Sequence, residues 1–181
     1  ARIAFDGLQV PSIASIPGMQ SRTIIVDGFS KTYAMTGWRL GFGIMPRQLA
    51  ERVSLLLTHS VGSTAEFTQL AGMEAILGDQ QQVQAVVAEY QKRRDLIVPL
   101  LNALPGFHCQ IPLGAFYAFP NITGTGLSSN ELADLLLEKA GVALLPGSAF
   151  GANGEGYLRL SYATSSDIIR SGLERIQTAL H

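Results

Sequence analysis

Two short apolar runs, Thr23-Ile24-Ile25-Val26 and Leu40-Gly41-Phe42-Gly43-Ile44, are separated by a stretch of small residues that carries Lys31 and Arg39. Each run reads as a β-strand. Their unbroken apolar character suits a sheet covered on both faces. Lys31 then follows the carboxyl end of the first strand, and Arg39 stands just before the second. Open α/β sheets bind ligands at the carboxyl edge of their strands. An amine nucleophile and a fixed guanidinium at neighbouring strand ends suit a Schiff base with an aldehyde and a grip on its phosphate.

The rest of the composition narrows the choices. With 181 residues, 47% hydrophobic and 15% charged, the chain can bury a sizeable core and is not a disordered segment. A formal net charge of −1 gives no basic face for nucleic acid. Apolar runs such as Leu55-Leu56-Leu57 are too short to span a bilayer, so no membrane partner is expected. Cys109 is the lone cysteine, which rules out an internal disulfide and fits a reducing cytoplasm. It reads as a small core residue. His59, His108 and His181 show no metal-ligand spacing, so no metal is assigned. No Rossmann or Walker glycine loop is present. The opening Arg2-Ile3-Ala4-Phe5-Asp6-Gly7 reads as mid-domain sequence, and the chain is expected to be part of a longer protein.

Along the chain, residues 8–22 read as a loop, 23–27 and 40–45 as strands, and 47–60 and 65–77 as helices, with Ser63 or Thr64 as a cap. Residues 79–104 read as one long helix, kinked or broken at Pro99. Residues 107–111 and 115–119 are candidate strands. Ser128 or Ser129 with Glu131 opens a helix to Lys139, and Gly141 ends it. Strands at 142–145 and 157–162 follow. A helix from about Ser165 to Leu180 turns Ile168, Ile169, Leu173 and Ile176 inward.

The stretch from Gly28 to Gly41, ending Gly37-Trp38-Arg39-Leu40-Gly41, resembles the lysine signature of the fold-type I pyridoxal-phosphate (PLP) aminotransferases, class I and II. The resemblance is aspartate aminotransferase-like and confined to the carboxyl-terminal part of such enzymes. It continues through Pro112–Pro120, Ala140–Gly151 and Tyr157–Ala163, in order. It implies the carboxyl-terminal part of a three-layer α/β/α large domain with a mostly parallel sheet (1–75), a long connecting helix (76–104) and a small α+β domain (105–181).

By that resemblance Lys31 forms the Schiff base with PLP and moves the α-proton, a role that needs a neutral amine favoured by burial beside cations. Arg39 pairs with the cofactor phosphate, and Ser30 is a candidate phosphate hydrogen bond or a turn residue. Many family members carry a hydroxyl where this chain has Gly28. Arg159, in an apolar strand, needs a partner; the resemblance makes it the arginine that grips the substrate α-carboxylate, and the alternative is a structural ion pair. Tyr33, Trp38, Tyr117 and Phe150 are pocket candidates, although aromatic residues fill cores by default. The family's contacts to the cofactor ring come from upstream sequence, so these residues alone are expected to be poorly active.

The implied activity moves an amino group from an L-amino acid to a 2-oxo acid, in a cytoplasmic homodimer. A PLP-dependent β-lyase of the same fold, or the aminotransferase-like sensor domain of a transcription regulator, are the alternatives.

Overall fold

The computed structural model describes residues 3–181. The chain divides into two compact units, Ala1–Val86 and Val87–His181, and the division falls inside a helix.

In the first unit, two 3-10 turns (Ile13–Ser15 and Gln20–Arg22) lead to strand β1 (Ile25–Gly28). Strand β2 is Gly41–Ile44, and the two pair antiparallel, with Ile25 opposite Ile44 and Gly28 opposite Gly41. A mostly parallel sheet is the expectation from the resemblance; the pair found here is antiparallel, because residues 29–40 turn the chain straight back. The sequence also suggests burial on both faces. Among the described residues these strands are instead open, with Val26 80% and Ile44 58% exposed.

Helix α1 (Arg47–Ser60) follows Pro46, and α2 is Glu66–Leu77. Neither Ser63 nor Thr64 caps α2. Its N-cap is Ala65, which makes no side-chain cap bond, while the Thr64 carbonyl accepts from Gln69 Nε2 at 2.7 Å. Thr68 and Gly72, four residues apart, form the buried side of α2.

Helix α3 (Gln81–Asn102) runs through Pro99 without a break. Pro99 lies in the last turn, where its carbonyl still accepts from Ala103 N–H at 3.1 Å. Its missing N–H costs one hydrogen bond near a helix end, too little to stop a helix that buries Ile97, Val98 and Leu101.

The second unit builds its core around that stripe. Its sheet has the order β3 (Tyr117–Ala118), β5 (Leu158–Ser161), β4 (Leu145–Pro146), antiparallel throughout. Helix α4 (Ser129–Leu135) opens with a full capping box. The Ser128 hydroxyl accepts from Glu131 N–H, and the Glu131 carboxylate accepts from Ser128 N–H at 2.9 Å. A π-turn (Leu136–Ala140) ends on Gly141 at φ +58°. Helix α5 (Ser166–Ala179) is capped by Ser165.

Leu101, Ile122, Leu132, Leu136, Leu158, Tyr162 and Ile176 meet in the core. Ile168 does not join them: it is 61% exposed, beside the buried Ile169. The strands expected at 107–111 and 115–119 shrink to β3 and the bridges from Asn121 to His108 and Tyr157. Cys109 is buried. Burial pushes its thiol pKa up, and the Asn102 amide bonds both its N–H and its carbonyl. Among the described residues no helix is long and apolar enough to cross a membrane.

Candidate functional site

The antiparallel register decides how Lys31 and Arg39 come together. With Gly28 opposite Gly41, and Phe29 N–H bonded to the Leu40 carbonyl at 3.1 Å, residues 29–40 form a loop closed at its base. Lys31 lies two residues from one end of that closure and Arg39 one residue from the other. Ser30 is on the same loop, half-buried.

One helical turn carries Lys31: Tyr33 N–H bonds the Phe29 carbonyl at 3.2 Å. The Phe29 ring is buried and packs on Tyr33 and Phe42, with centroids 5.4 and 5.8 Å away. Lys31 itself is exposed. The burial expected for it is therefore not supplied by the described residues.

Arg39 sits at φ +53°, as does Ala34, in the left-handed region that costs a non-glycine residue about 1–2 kcal/mol. The Arg39 guanidinium donates from Nη1 to the Thr36 carbonyl at 2.8 Å, which folds the side chain back over its own loop and leaves its other donors for a ligand. Gly28 is not held to glycine by geometry. A Cβ there would meet the Leu40 carbonyl oxygen at 3.5 Å, an ordinary contact.

Helix α2 braces the loop. Trp38 meets Phe67 edge-on at 6.4 Å, and with Ala34, Gly37 and Thr68 they line a cleft of 460 Å³. A Cβ on Gly72 would overlap Leu40 Cδ2 and sit 3.5 Å from the Phe29 ring. Gly72 thus lets α2 approach both residues that close the loop, a role that a lone glycine in a helix pattern signals only weakly.

Arg159 lies in the other unit, on β5 opposite Leu145. Leu158 and Leu160 point into the core, and alternation puts Arg159 on the open face. It takes part in no ion pair among the described residues. Its partners are aromatic: the guanidinium carbon lies 4.5 Å from the centroid of Tyr117 and 4.6 Å from that of Phe150. Two rings against the flat cation hold its faces. Its edge, where the N–H donors are, makes no hydrogen bond within the described chain. A planar fork with clamped faces and open donors suits a carboxylate. Phe119 extends this aromatic face, stacking on Tyr157 at 5.1 Å and meeting Phe150 edge-on.

The ring of Phe150 is fixed by its own turn, Gly147–Phe150. Gly147 N–H bonds the Tyr157 carbonyl at 2.8 Å. Ser148 shares a hydroxyl contact with Ser129, which donates from its hydroxyl and backbone N–H to the Glu155 carboxylate at 2.7 and 2.8 Å. Those two bonds, the backbone one foremost, hold the Glu155 carboxyl below its ordinary pKa. Sequence reasoning leaves Tyr117 and Phe150 to the core by default. Strand alternation, with Ala118 and Pro120 inward, is the signal that places Tyr117 outside.

The profile of the family described as "Aminotransferase class I and II" matches residues 3–176. The chain belongs to that family. It is 44% identical to an aspartate aminotransferase of Pyrococcus horikoshii over 97% of this chain and 44% of that one. It is 42% identical to the aromatic-amino-acid aminotransferase 2 of Thermococcus litoralis, over 97% of this chain and 46% of the other. Among solved structures, the aromatic aminotransferase from Pyrococcus horikoshii superposes with a TM-score of 0.95 at 42% identity, covering 99% of this chain and 48% of that one. The α/β fold implied by the resemblance is that of these aminotransferases. The chain spans a little under half the length of the relatives it matches.

Proposed function

We propose that this chain supplies the cofactor anchor and the substrate-carboxylate grip of a PLP-dependent aminotransferase, which moves an amino group from an L-amino acid to a 2-oxo acid. The observation that carries the reading is the closed loop at 29–40. It joins an amine, a hydroxyl and a guanidinium with open donors, the set that a phosphorylated aldehyde requires. When bound, PLP supplies the aldehyde and an electron-withdrawing ring.

Lys31 Nζ is the amine that would hold the cofactor through its aldehyde and, as a free amine, would take the proton from the substrate α-carbon. Arg39 binds the phosphate, and the Ser30 hydroxyl donates to it. Arg159, flanked by Tyr117 and Phe150, would hold the α-carboxylate through its open donors and so orient the amino group of one substrate and the oxo group of the other alike. Residues 1–75 belong to the large domain and 105–181 to the small one, joined by the helix of 76–104. The open faces around Val26, Phe42 and Ile44 support further strands and helices outside this chain. The ring contacts come from there too, so these residues alone are poorly active. A cytoplasmic homodimer is the assembly proposed for the whole protein. The relatives' names favour transamination over β-elimination and over a regulatory sensor.

Borohydride trapping tests the anchor. The protein is incubated with PLP, reduced, digested and mapped by mass spectrometry. A stoichiometric adduct on Lys31 that is lost in Arg39→Ala is expected. Labelling scattered over surface lysines in the full-length protein would overturn the assignment.

A further inference from the structure

Tyr162 is fully buried in the core of the second unit, where a phenylalanine would fill nearly the same space. A hydroxyl there is costly unless bonded, and its bond goes to one place. It donates to the Ala115 carbonyl at 3.2 Å, while Tyr162 N–H bonds the next carbonyl, Phe116, at 2.9 Å. Desolvation pushes the phenol pKa to about 12, with Arg94 pulling the other way, so it stays a donor at any physiological pH.

Three residues before Ala115, the Pro112 carbonyl accepts from Nη1 of the buried Arg94 at 3.2 Å. Arg94 Nε and Nη2 both reach Asp95 Oδ1 at 2.8 Å. Between these anchors Ala115 is held at φ +64°, where alanine does not stay unless its surroundings insist. Phe116 then packs on Tyr90, which meets Tyr162 edge-on. The next residue is Tyr117, whose ring lies over Arg159.

We propose that Tyr162, with Arg94, is a positioning residue for the carboxylate grip: by fixing the strained 112–116 turn it sets the Tyr117 ring against Arg159. The inference rests on the reading of Arg159 as the α-carboxylate ligand. Tyr162 itself touches no substrate. It determines the plane in which the Arg159 donors are presented, so its loss weakens binding of anything held through that carboxylate and leaves the chemical step alone.

The test uses the full-length protein loaded with PLP and compares wild type, Tyr162→Phe, Arg159→Ala and the double variant. Phenylalanine preserves the core packing, and a melting curve checks that. Tyr162→Phe is expected to raise KM for the amino acid and for the 2-oxo acid by the same factor, about three- to tenfold. The turnover kcat should stay within about twofold, since the interaction lost is shared by ground and transition states. Tyr117→Leu should give the same pattern. Adding Tyr162→Phe to Arg159→Ala should raise KM no further. An unchanged KM in Tyr162→Phe, with a large rise in Arg159→Ala, would overturn the proposal and leave the carboxylate reading standing. A rise that persists without Arg159 would also overturn it. No rise in Arg159→Ala would remove the reading underneath.

Discussion

Replacing Gly147 by alanine would disturb the turn that presents Phe150, and its cost follows from three backbone atoms. A Cβ on Gly147 would sit 2.8 Å from the Tyr157 carbonyl oxygen, 3.0 Å from the Gly154 carbonyl carbon, and closer still to the Gly154 oxygen. None of these can rotate away as a side-chain end would. The turn at 147 and the turn of 154–157 that precedes β5 must part. Overpacking of a rigid site costs about 3 kcal/mol at the upper end of its usual range. Parting also breaks the Gly147 N–H bond to Tyr157, worth about 1 kcal/mol. The expected loss is therefore about 4 kcal/mol, or roughly 8–16 °C in Tm for a chain of this size. The backbone of Gly147 is not left-handed, so the effect is steric alone. Gly172 provides the control: it lies inside α5 and a Cβ there meets nothing within 4 Å. Gly172→Ala should stabilise by about 1 kcal/mol through helix propensity. Urea unfolding of both variants against wild type measures the difference. A loss below about 1 kcal/mol in Gly147→Ala would refute the rigid apposition of 147 with 154.

Other perturbations have defined outcomes. Glu155 has a depressed folded pKa, so its bonds to Ser129 contribute above its ordinary value near 4.5 and are lost as pH falls through the folded value; wild type should exceed Glu155→Gln in stability at neutral pH, with the gap closing in acid, and a gap independent of pH would contradict this. Ser128→Ala removes the capping box of α4 and should cost about 1 kcal/mol by denaturant titration. Gly28→Ser should be tolerated within about 0.5 kcal/mol, because the position is open; a large loss would mean the β1–β2 closure needs glycine.

The sequence by itself determined the elements whose signal is local. Arg47–Ser60 carries its own helical spacing, Ser128 and Glu131 spell a capping box, and Gly141 supplies the left-handed terminator. The Lys31 to Gly41 wording is dense enough to name the family without coordinates. Short-range rules failed where distant residues decide. Pro99 stays inside α3 because the core stripe outweighs one missing hydrogen bond, and Ile168 turns outward because α5 offers its narrow apolar side through Ile169, Leu173 and Ile176. Apolar strands do not encode their pairing direction, so only the ladder from Gly28 to Gly41 revealed that Lys31 and Arg39 share one closed loop. Likewise the sequence marks Arg159 as needing a partner but cannot say which. Tyr117 and Phe150 reach it from separate strands and turns, and burial and stacking among residues far apart in the chain are properties of the folded whole.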